Sequence, residues 1–279
     1  MNIQTKRIYG VLGYPVKHSL SPRMQNAAFS HLKINAEYRL FEIRPQDLKG
    51  FIEGLSLNGI YGLNVTIPYK QRILDFVRLD SELLYLRDIG AINTIVREGN
   101  LLRGFNTDIG GFQRHLEEEG IDPSAKKIAV LGAGGAARAV VYALARLQAA
   151  EISVFDVDTD KAKNLVGFLH KLFPGLKVSY TENSKGLEIN NKDMLINCTP
   201  IGMKEEDPLL IEEGSLHSDL FVYDLVYIPA ETRLLKAAKR IGAKTLNGLG
   251  MLLYQGAYSF SHFTGKDAPV EVMRKAIFA

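Results

Sequence analysis

Apolar runs and amphipathic stretches alternate along the chain. Residues 8–12 form a short apolar run that reads as a strand, followed by a turn-rich loop at 13–22. Helical spacing sets in over 23–32, with Ser21 as the expected N-cap and Pro22 at the first helical position. Strands are expected at 37–43 and 59–65, a helix at 45–57, and another helix from Gln71. Residues 91–96 and 101–105 read as a hairpin around Glu98, Gly99 and Asn100. A helix over 109–119 ends in the turn 120–124, where the crossing between domains is expected. Strands follow at 127–131, 151–156, 194–198 and 221–225, with a helix over 140–147. Lys204 to Asp207 reads as an acidic, mobile stretch. A helix begins within 247–256, and an amphipathic one closes the chain at 269–278. Strands alternating with helices predict an α/β protein. Two domains are expected: a discontinuous substrate-binding and catalytic domain, 1–108 plus 245–279, and a Rossmann-like dinucleotide-binding domain, 109–244. The cleft between them is the expected ligand site.

One stretch carries explicit chemistry. Between the strand at 127–131 and the helix at 140–147 lies Gly132-Ala133-Gly134-Gly135-Ala136-Ala137, which fits G-x-G-x-x-A. Gly132 permits the tight turn, Gly134 lets a pyrophosphate approach the backbone, and Ala137 allows close helix–strand packing. The first-turn N–H groups and the helix dipole then favour an anion. The next strand ends in Asp156, in the window where such folds place an acid on the ribose.

Composition narrows the class. The chain has 279 residues, 46% hydrophobic and 23% charged, as in a globular protein. Its net charge of +3 is too small and dispersed to argue for nucleic acid. The single cysteine, Cys198, excludes an internal disulfide and fits a reducing cytosol; it reads as a small buried residue. The first seven residues lack the apolar core of a signal peptide, no apolar run approaches a membrane span, and no paired Cys/His metal spacing occurs. A cytoplasmic protein with no bound metal is expected.

Hydride exchange at a carbonyl needs a proton donor or acceptor at the oxygen and polar groups that orient the substrate. Lys70 after a strand and Asp108 at a helix start are candidates, although Asp is common at helix starts for electrostatic reasons. Ser19 and Ser21, two apart in a loop, offer hydroxyls to one carboxylate; helix capping is the competing use. Asn64, Thr66 and Asn93 lie at or near strand ends, where α/β sites collect ligands. Tyr227 and Gln255 are further candidates, each compatible with plain packing. His18 reads as a solvated loop histidine.

Taken together, these segments closely resemble the shikimate dehydrogenase family, over eight ordered stretches spanning nearly the whole chain. They are 13–22, 64–70, 90–94, 104–108, the glycine loop, 197–203, 224–229 and 247–256. The resemblance implies reversible reduction of 3-dehydroshikimate to shikimate with a nicotinamide cofactor, on the route to aromatic amino acids. It implies Lys70 and Asp108 as the catalytic pair, with Lys70 favoured as the proton carrier. It implies Ser19, Ser21 and Tyr227 at the substrate carboxylate, and Thr66, Asn93, Asp108 and Gln255 at the ring hydroxyls, with Asn64 close by. Cofactor contacts are expected from Gly132, Ala133, Gly134, Gly135, Ala136, Asp156, Asp158, Thr199, Pro200, Gly202, Met203, Gly248 and Met251.

Two positions depart from the family pattern. Gln25 stands where members often carry His. Where NADP-using members resemble Asn-Arg-Thr, this chain has Asp156-Val157-Asp158-Thr159-Asp160-Lys161. The Arg that would clamp a 2′-phosphate is replaced by Val157 among three acids. A 2′-phosphate is repelled there and a ribose hydroxyl is welcome, which predicts NAD over NADP. The alternatives are an NAD-dependent quinate/shikimate dehydrogenase and a non-catalytic NAD-binding sensor. A small-molecule substrate, no nucleic-acid or membrane partner, and a monomer or homodimer are expected.

Overall fold

A computed structural model of the chain describes residues 6–278. Met1–Thr5, which belong to the stretch read for a leader, lie outside the described residues. The chain divides into two compact units, Met1–Gly111 with Leu252–Ala279, and Phe112–Met251.

The first unit holds a five-stranded sheet, β1 (Arg7–Gly13), β2 (Ala36–Glu42), β3 (Ile60–Val65), β4 (Thr94–Glu98) and β5 (Leu101–Phe105), in the order β2-β1-β3-β4-β5. β1 runs parallel to both β2 and β3, whereas β4 is antiparallel to β3 and β5. β1 is an interior strand, flanked by β2 and β3, so Val11 and Leu12 are buried and it reads as a continuous apolar run. The register sets Asn64 beside Thr94, at the end of β3 that leads into Lys70. Helices α1 (Ser21–His31), α2 (Leu48–Glu53) and α3 (Tyr85–Ile89) belong to this unit, and α1 packs on the last helix, α9 (Val270–Phe278).

The second unit is a six-stranded parallel sheet, β6 (Lys127–Leu131), β7 (Glu151–Phe155), β8 (Lys177–Thr181), β9 (Met194–Asn197), β10 (Phe221–Asp224) and β11 (Lys244–Asn247). Its order is β11-β10-β9-β6-β7-β8. This is the doubly wound dinucleotide-binding order, reversing direction at β6. Leu131 pairs with Phe155 on one side and Asn197 on the other, so the ends of β6, β7 and β9 are flush. Ligands collect at such carboxyl ends. Helices α5 (Gly135–Arg146), α6 (Thr159–Leu172) and α7 (Arg233–Arg240) complete it. The crossings fall inside α4 (Thr107–Glu118) and α8 (Leu249–Thr264), and the turn 120–124 lies wholly in the second unit.

Several expected elements change. Ser21 is the first residue of α1, not its cap: Leu20 takes the cap position without a side-chain bond, and Ser19 Oγ accepts the Ser21 N–H at 3.3 Å. The helix expected over 45–57 shrinks to Leu48–Glu53, followed at once by turns through Gly54 and Gly59. The helix expected from Gln71 is a short 3₁₀ segment, Arg72–Phe76. Residues 91–93 are buried loop, because the Asn93 carbonyl serves Val65 N–H and its N–H bonds Phe105 O before β4 begins. Helices α3, α6 and α7 and strands β8 and β11 have no counterpart in the sequence expectation. Among the described residues no helix is long and apolar enough to cross a membrane.

Candidate active site

In the first unit, the segment after β3 carries Lys70 back toward the sheet, and the Lys70 carbonyl accepts Ile92 N–H at 2.7 Å. Asp108 lies in the first turn of α4. Lys70 Nζ donates to Asp108 Oδ2 at 2.5 Å, and the side chains are 14% and 5% exposed. At that burial the pair is weakly screened, and removing one member strands the other's charge.

Asn93 locks the carboxylate from the other side. The Thr107 backbone N–H donates to Asn93 Oδ1 at 2.7 Å. A backbone N–H can only donate, so the amide orientation is set and Nδ2 must face Asp108 Oδ1, at 2.8 Å. Both Asp108 oxygens are thus engaged, Oδ1 by Asn93 Nδ2 and Oδ2 by Lys70 Nζ. Gln255 Oε1 lies 3.4 Å from Asn93 Nδ2, while its own Nε2 is held by Leu252 O at 2.8 Å.

Asn64 belongs to the same buried network. Tyr38 Oη donates to its Oδ1 at 2.7 Å, and its Nδ2 donates to Ser259 Oγ at 2.7 Å and Thr94 Oγ1 at 3.0 Å. Sequence reasoning named Asn64 but missed Tyr38, Thr94, Thr107 and Ser259. Thr66 packs against Gly13, where a Cβ would lie 2.5 Å from Thr66 Cγ2. Ser19 is half-buried and Ser21 buried, at the entry to α1, whereas His18 is exposed. Gln25, at the position that departs from the family, donates from Nε2 to Gly256 O at 2.8 Å. Its Oε1 has no hydrogen-bond partner among the described residues. The structure thus joins Asn64, Lys70, Asn93, Asp108 and Gln255 in one network and puts Tyr227 in the second unit.

In the second unit, Gly132 has φ +97°, a conformation that excludes side chains, and a Cβ there would press on Thr199 Cγ2 at 2.9 Å. Gly134 caps α5, and a Cβ on it would meet nothing within 4 Å. Its open side is free for a ligand, next to the first-turn N–H groups of α5, which have no carbonyl partner within the helix. The loop therefore fits a dinucleotide pyrophosphate. Asp156 braces it: Oδ2 accepts Ala133 N–H at 2.7 Å and Oδ1 accepts Asp158 N–H at 2.8 Å. Asp158 caps α6 through Lys161 N–H and pairs with Lys161 Nζ at 3.1 Å, which holds its carboxyl below the ordinary value. Val157 between them is 89% exposed.

The end of β9 is tied to β10 by a residue the sequence reading gave no role. Asp224 is fully buried and accepts from Asn197 Nδ2, Val226 N–H and Thr232 Oγ1 at 2.7–3.0 Å. Burial pushes its carboxyl up to about 6, against the pull of these donors. Asn197 Oδ1 in turn accepts from Thr199, and Gly202 takes φ +109°. The stretch expected to be mobile is anchored, since Asp207 accepts the N–H groups of Gly202 and Lys204. Pro200 and Met203 are exposed, whereas Gly248 and Met251 are buried. Gly248 admits no Cβ, which would collide with Leu225 O.

Comparison with known proteins identifies the family. The family description Shikimate dehydrogenase substrate binding domain fits residues 11–95, and Shikimate 5′-dehydrogenase C-terminal domain fits residues 248–278. The chain is 44% identical to a shikimate dehydrogenase (NADP(+)) from Methanopyrus kandleri, over 97% of this chain and 94% of that one. It superposes on the shikimate dehydrogenase crystal structure from Aquifex aeolicus with a TM-score of 0.88, 37% identity and all of both chains covered. It also superposes on shikimate 5-dehydrogenase from Listeria monocytogenes in complex with shikimate and NAD, with a TM-score of 0.85, 35% identity, and 98% and 96% of the two chains covered. The chain belongs to the shikimate dehydrogenase family, oxidoreductases that act on the CH–OH group of shikimate with a nicotinamide cofactor.

Proposed function

We propose that Lys70 moves the proton, that Asp108 and Asn93 hold it in place, and that NAD is the preferred cofactor, in a cytosolic enzyme. The observation that carries the proton assignment is the Lys70–Asp108 contact, with Asp108 accepting at both oxygens. A bound nicotinamide supplies or takes the hydride. In the reducing direction Lys70 Nζ gives a proton to the carbonyl oxygen, which becomes the hydroxyl; in the oxidising direction it takes that proton back. Its positive charge also faces the developing alkoxide. Ser19 and Ser21 are assigned to the substrate carboxylate, and Asn64, Thr66, Asn93, Asp108 and Gln255 to the ring hydroxyls. Tyr227 is assigned to the carboxylate from the family resemblance alone.

Gly132 to Ala136 cradle the pyrophosphate; Thr199, Pro200, Gly202, Met203, Gly248 and Met251 complete the cofactor set. NAD preference rests on Asp156 and Asp158 at the β7 end. Lys161, the cation paired there, already answers Asp158. A 2′-phosphate beside these carboxylates costs on the order of 1–3 kcal/mol, or about tenfold to a hundredfold in preference. The name of the Methanopyrus relative points to NADP(+), whereas the Listeria complex holds NAD.

The test is a rate matrix of shikimate and quinate against NAD and NADP. A kcat/KM at least tenfold higher with NAD supports the cofactor assignment, and an NADP preference overturns it. Quinate turnover matching that of shikimate favours the quinate/shikimate reading. Lys70→Ala is expected to lose about two to four orders of magnitude in kcat, and unchanged turnover would assign the proton elsewhere.

A further inference from the structure

Ser259 lies on α8 and is fully buried. Four polar groups surround its hydroxyl: Gln255 O at 2.9 Å, Asn64 Nδ2 at 2.7 Å, Thr94 Oγ1 at 2.9 Å and Thr107 Oγ1 at 3.0 Å. A hydroxyl has one proton, so the directions can be assigned. Gln255 O is a carbonyl and only accepts; the Ser259 proton goes there. Asn64 Nδ2 also faces the Asn93 carbonyl at 3.4 Å, which fixes it as a donor to Ser259. Asn93 Oδ1 already receives the Thr107 N–H at 2.7 Å and Thr94 Oγ1 at 3.1 Å. The Thr107 proton is therefore directed at Ser259, which leaves the Thr107 oxygen to accept from Asn93 Nδ2 at 2.9 Å.

We propose that Ser259 is a positioning residue for the catalytic pair: its hydroxyl sets the direction of the hydrogen bonds through Thr107 and thereby holds the Asn93 amide against Asp108. The chain of contacts runs from Gln255 O through Ser259, Thr107 and Asn93 to Asp108 and Lys70. Without the hydroxyl, Thr107 loses its acceptor and turns its proton to Asn93 Oδ1, 3.2 Å away. Asn64 loses a partner at the same time. The Thr107 hydroxyl, no longer tied to α8, is then shared between the two ends of the Asn93 amide, so the amide is less firmly fixed and Asp108 less rigidly aimed at Lys70. Reacting groups displaced by a fraction of an ångström slow the proton step, while the carboxylate contacts assigned to Ser19 and Ser21 are untouched and the ring-hydroxyl contacts are loosened only partly. Buried networks of this kind matter through completeness, since each member orients the next.

The inference rests on the Lys70 reading above, so Lys70→Ala is measured beside the Ser259 variants. In shikimate oxidation, Ser259→Ala is expected to lower kcat about tenfold to a hundredfold, with KM for shikimate rising by a smaller factor, because Asn64, Asn93 and Asp108 are also assigned to the ring hydroxyls. The solvent deuterium isotope effect on kcat should rise, because the proton step becomes limiting. A purely structural role would lower the active fraction and leave that isotope effect unchanged. Ser259→Cys, nearly isosteric with a weak donor and acceptor, should fall between Ala and the native enzyme in both readouts. If Ser259→Ala does not fold, Ser259→Cys decides: a raised isotope effect supports the proposal, and a native one overturns it. Native kcat and isotope effect in Ser259→Ala, with Lys70→Ala inactive, overturn the Ser259 role alone. An active Lys70→Ala overturns the underlying proton assignment.

Discussion

Asp158 carries two functions that one substitution separates. Its carboxylate caps α6 by accepting Lys161 N–H, and its charge stands at the carboxyl end of the β7 segment. Serine caps a helix nearly as well as aspartate. Asp158→Ser therefore keeps the α6 start, removes one negative charge and releases Lys161 from its pair. Relative kcat/KM for NADP over NAD should rise by about tenfold, in steady-state rates on the same preparation. Val157→Arg adds a guanidinium at an exposed position and should raise it further, since Arg grips phosphate bidentately. Asp156 is a poor site for the same experiment: it braces Ala133 N–H, so its removal loosens the glycine loop for both cofactors. Sequence spacing placed these acids correctly at the end of a strand. It did not reveal that both are also structural, because a side chain bonding a backbone N–H 23 residues away leaves no periodic trace.

At the level of elements, the opposite end of the parallel sheet is held by charge. Glu151 at the start of β7 pairs with Lys177 at the start of β8 and with Lys192 just before β9. Lys192 is 5% exposed on its side chain and also donates to Ser153 Oγ at 2.9 Å, whereas Lys177 is 78% exposed. The burial decides the magnitudes. Glu151→Gln strands the buried Lys192 and should cost about 3 kcal/mol at pH 7 in urea unfolding. Lys177→Met should cost under about 1 kcal/mol. The Glu151 carboxyl is drawn down from 4.5 to about 2 by hydrogen bonds from Lys177 and then Lys192. A depressed carboxyl stabilises fully above its unfolded value, and that stability drains away as pH falls through the folded one. The gap between native and Glu151→Gln unfolding energies should thus be constant near neutrality and narrow from about pH 4.5 toward pH 2. A gap independent of pH would refute the ionic account. Elements with strong local signals were legible, β6 among them, since its apolar run is bounded by Lys127 and Gly132. Helix α6 went unassigned in the sequence, although it was open to the same reading: Ala162, Leu165, Val166 and Leu169 are buried at helical spacing behind the Asp158 cap. The 3₁₀ segment after Gln71 was not, because tertiary contacts around buried Tyr69 and Ile73 override its propensity.

For the molecule as a whole, the two units divide the chemistry along the chain. The proposed proton-transfer residues lie in the first unit and the glycine loop in the second, and both crossings run inside helices, α4 and α8. Sequence alternation predicted an α/β protein with two parts, whereas helix interiors offer no loop or composition shift to mark a crossing. The proposed catalytic network was half legible: Lys70, Asn93 and Asp108 stand in motifs, but Ser259 meets Thr94 across 165 residues with nothing local to announce it. This division yields a prediction that does not depend on turnover. Binding slows exchange of amides that open only when the bound segment opens, and the slowing follows ligand saturation. At about 100 times Kd the gain is about 2.7 kcal/mol, close to a hundredfold in exchange rate. In hydrogen exchange read by mass spectrometry, NAD alone should slow peptides covering 132–136 and 199–203. Shikimate alone should slow peptides covering 19–21, 64–70 and 93–108. Helix α8 should respond to each ligand in a different turn, to NAD near Met251 and to shikimate near Gln255 and Ser259. Protection by shikimate confined to the second unit would overturn the assignment of substrate residues, and equal protection by NAD and NADP at matched concentrations would remove the basis for discrimination at Asp156 and Asp158.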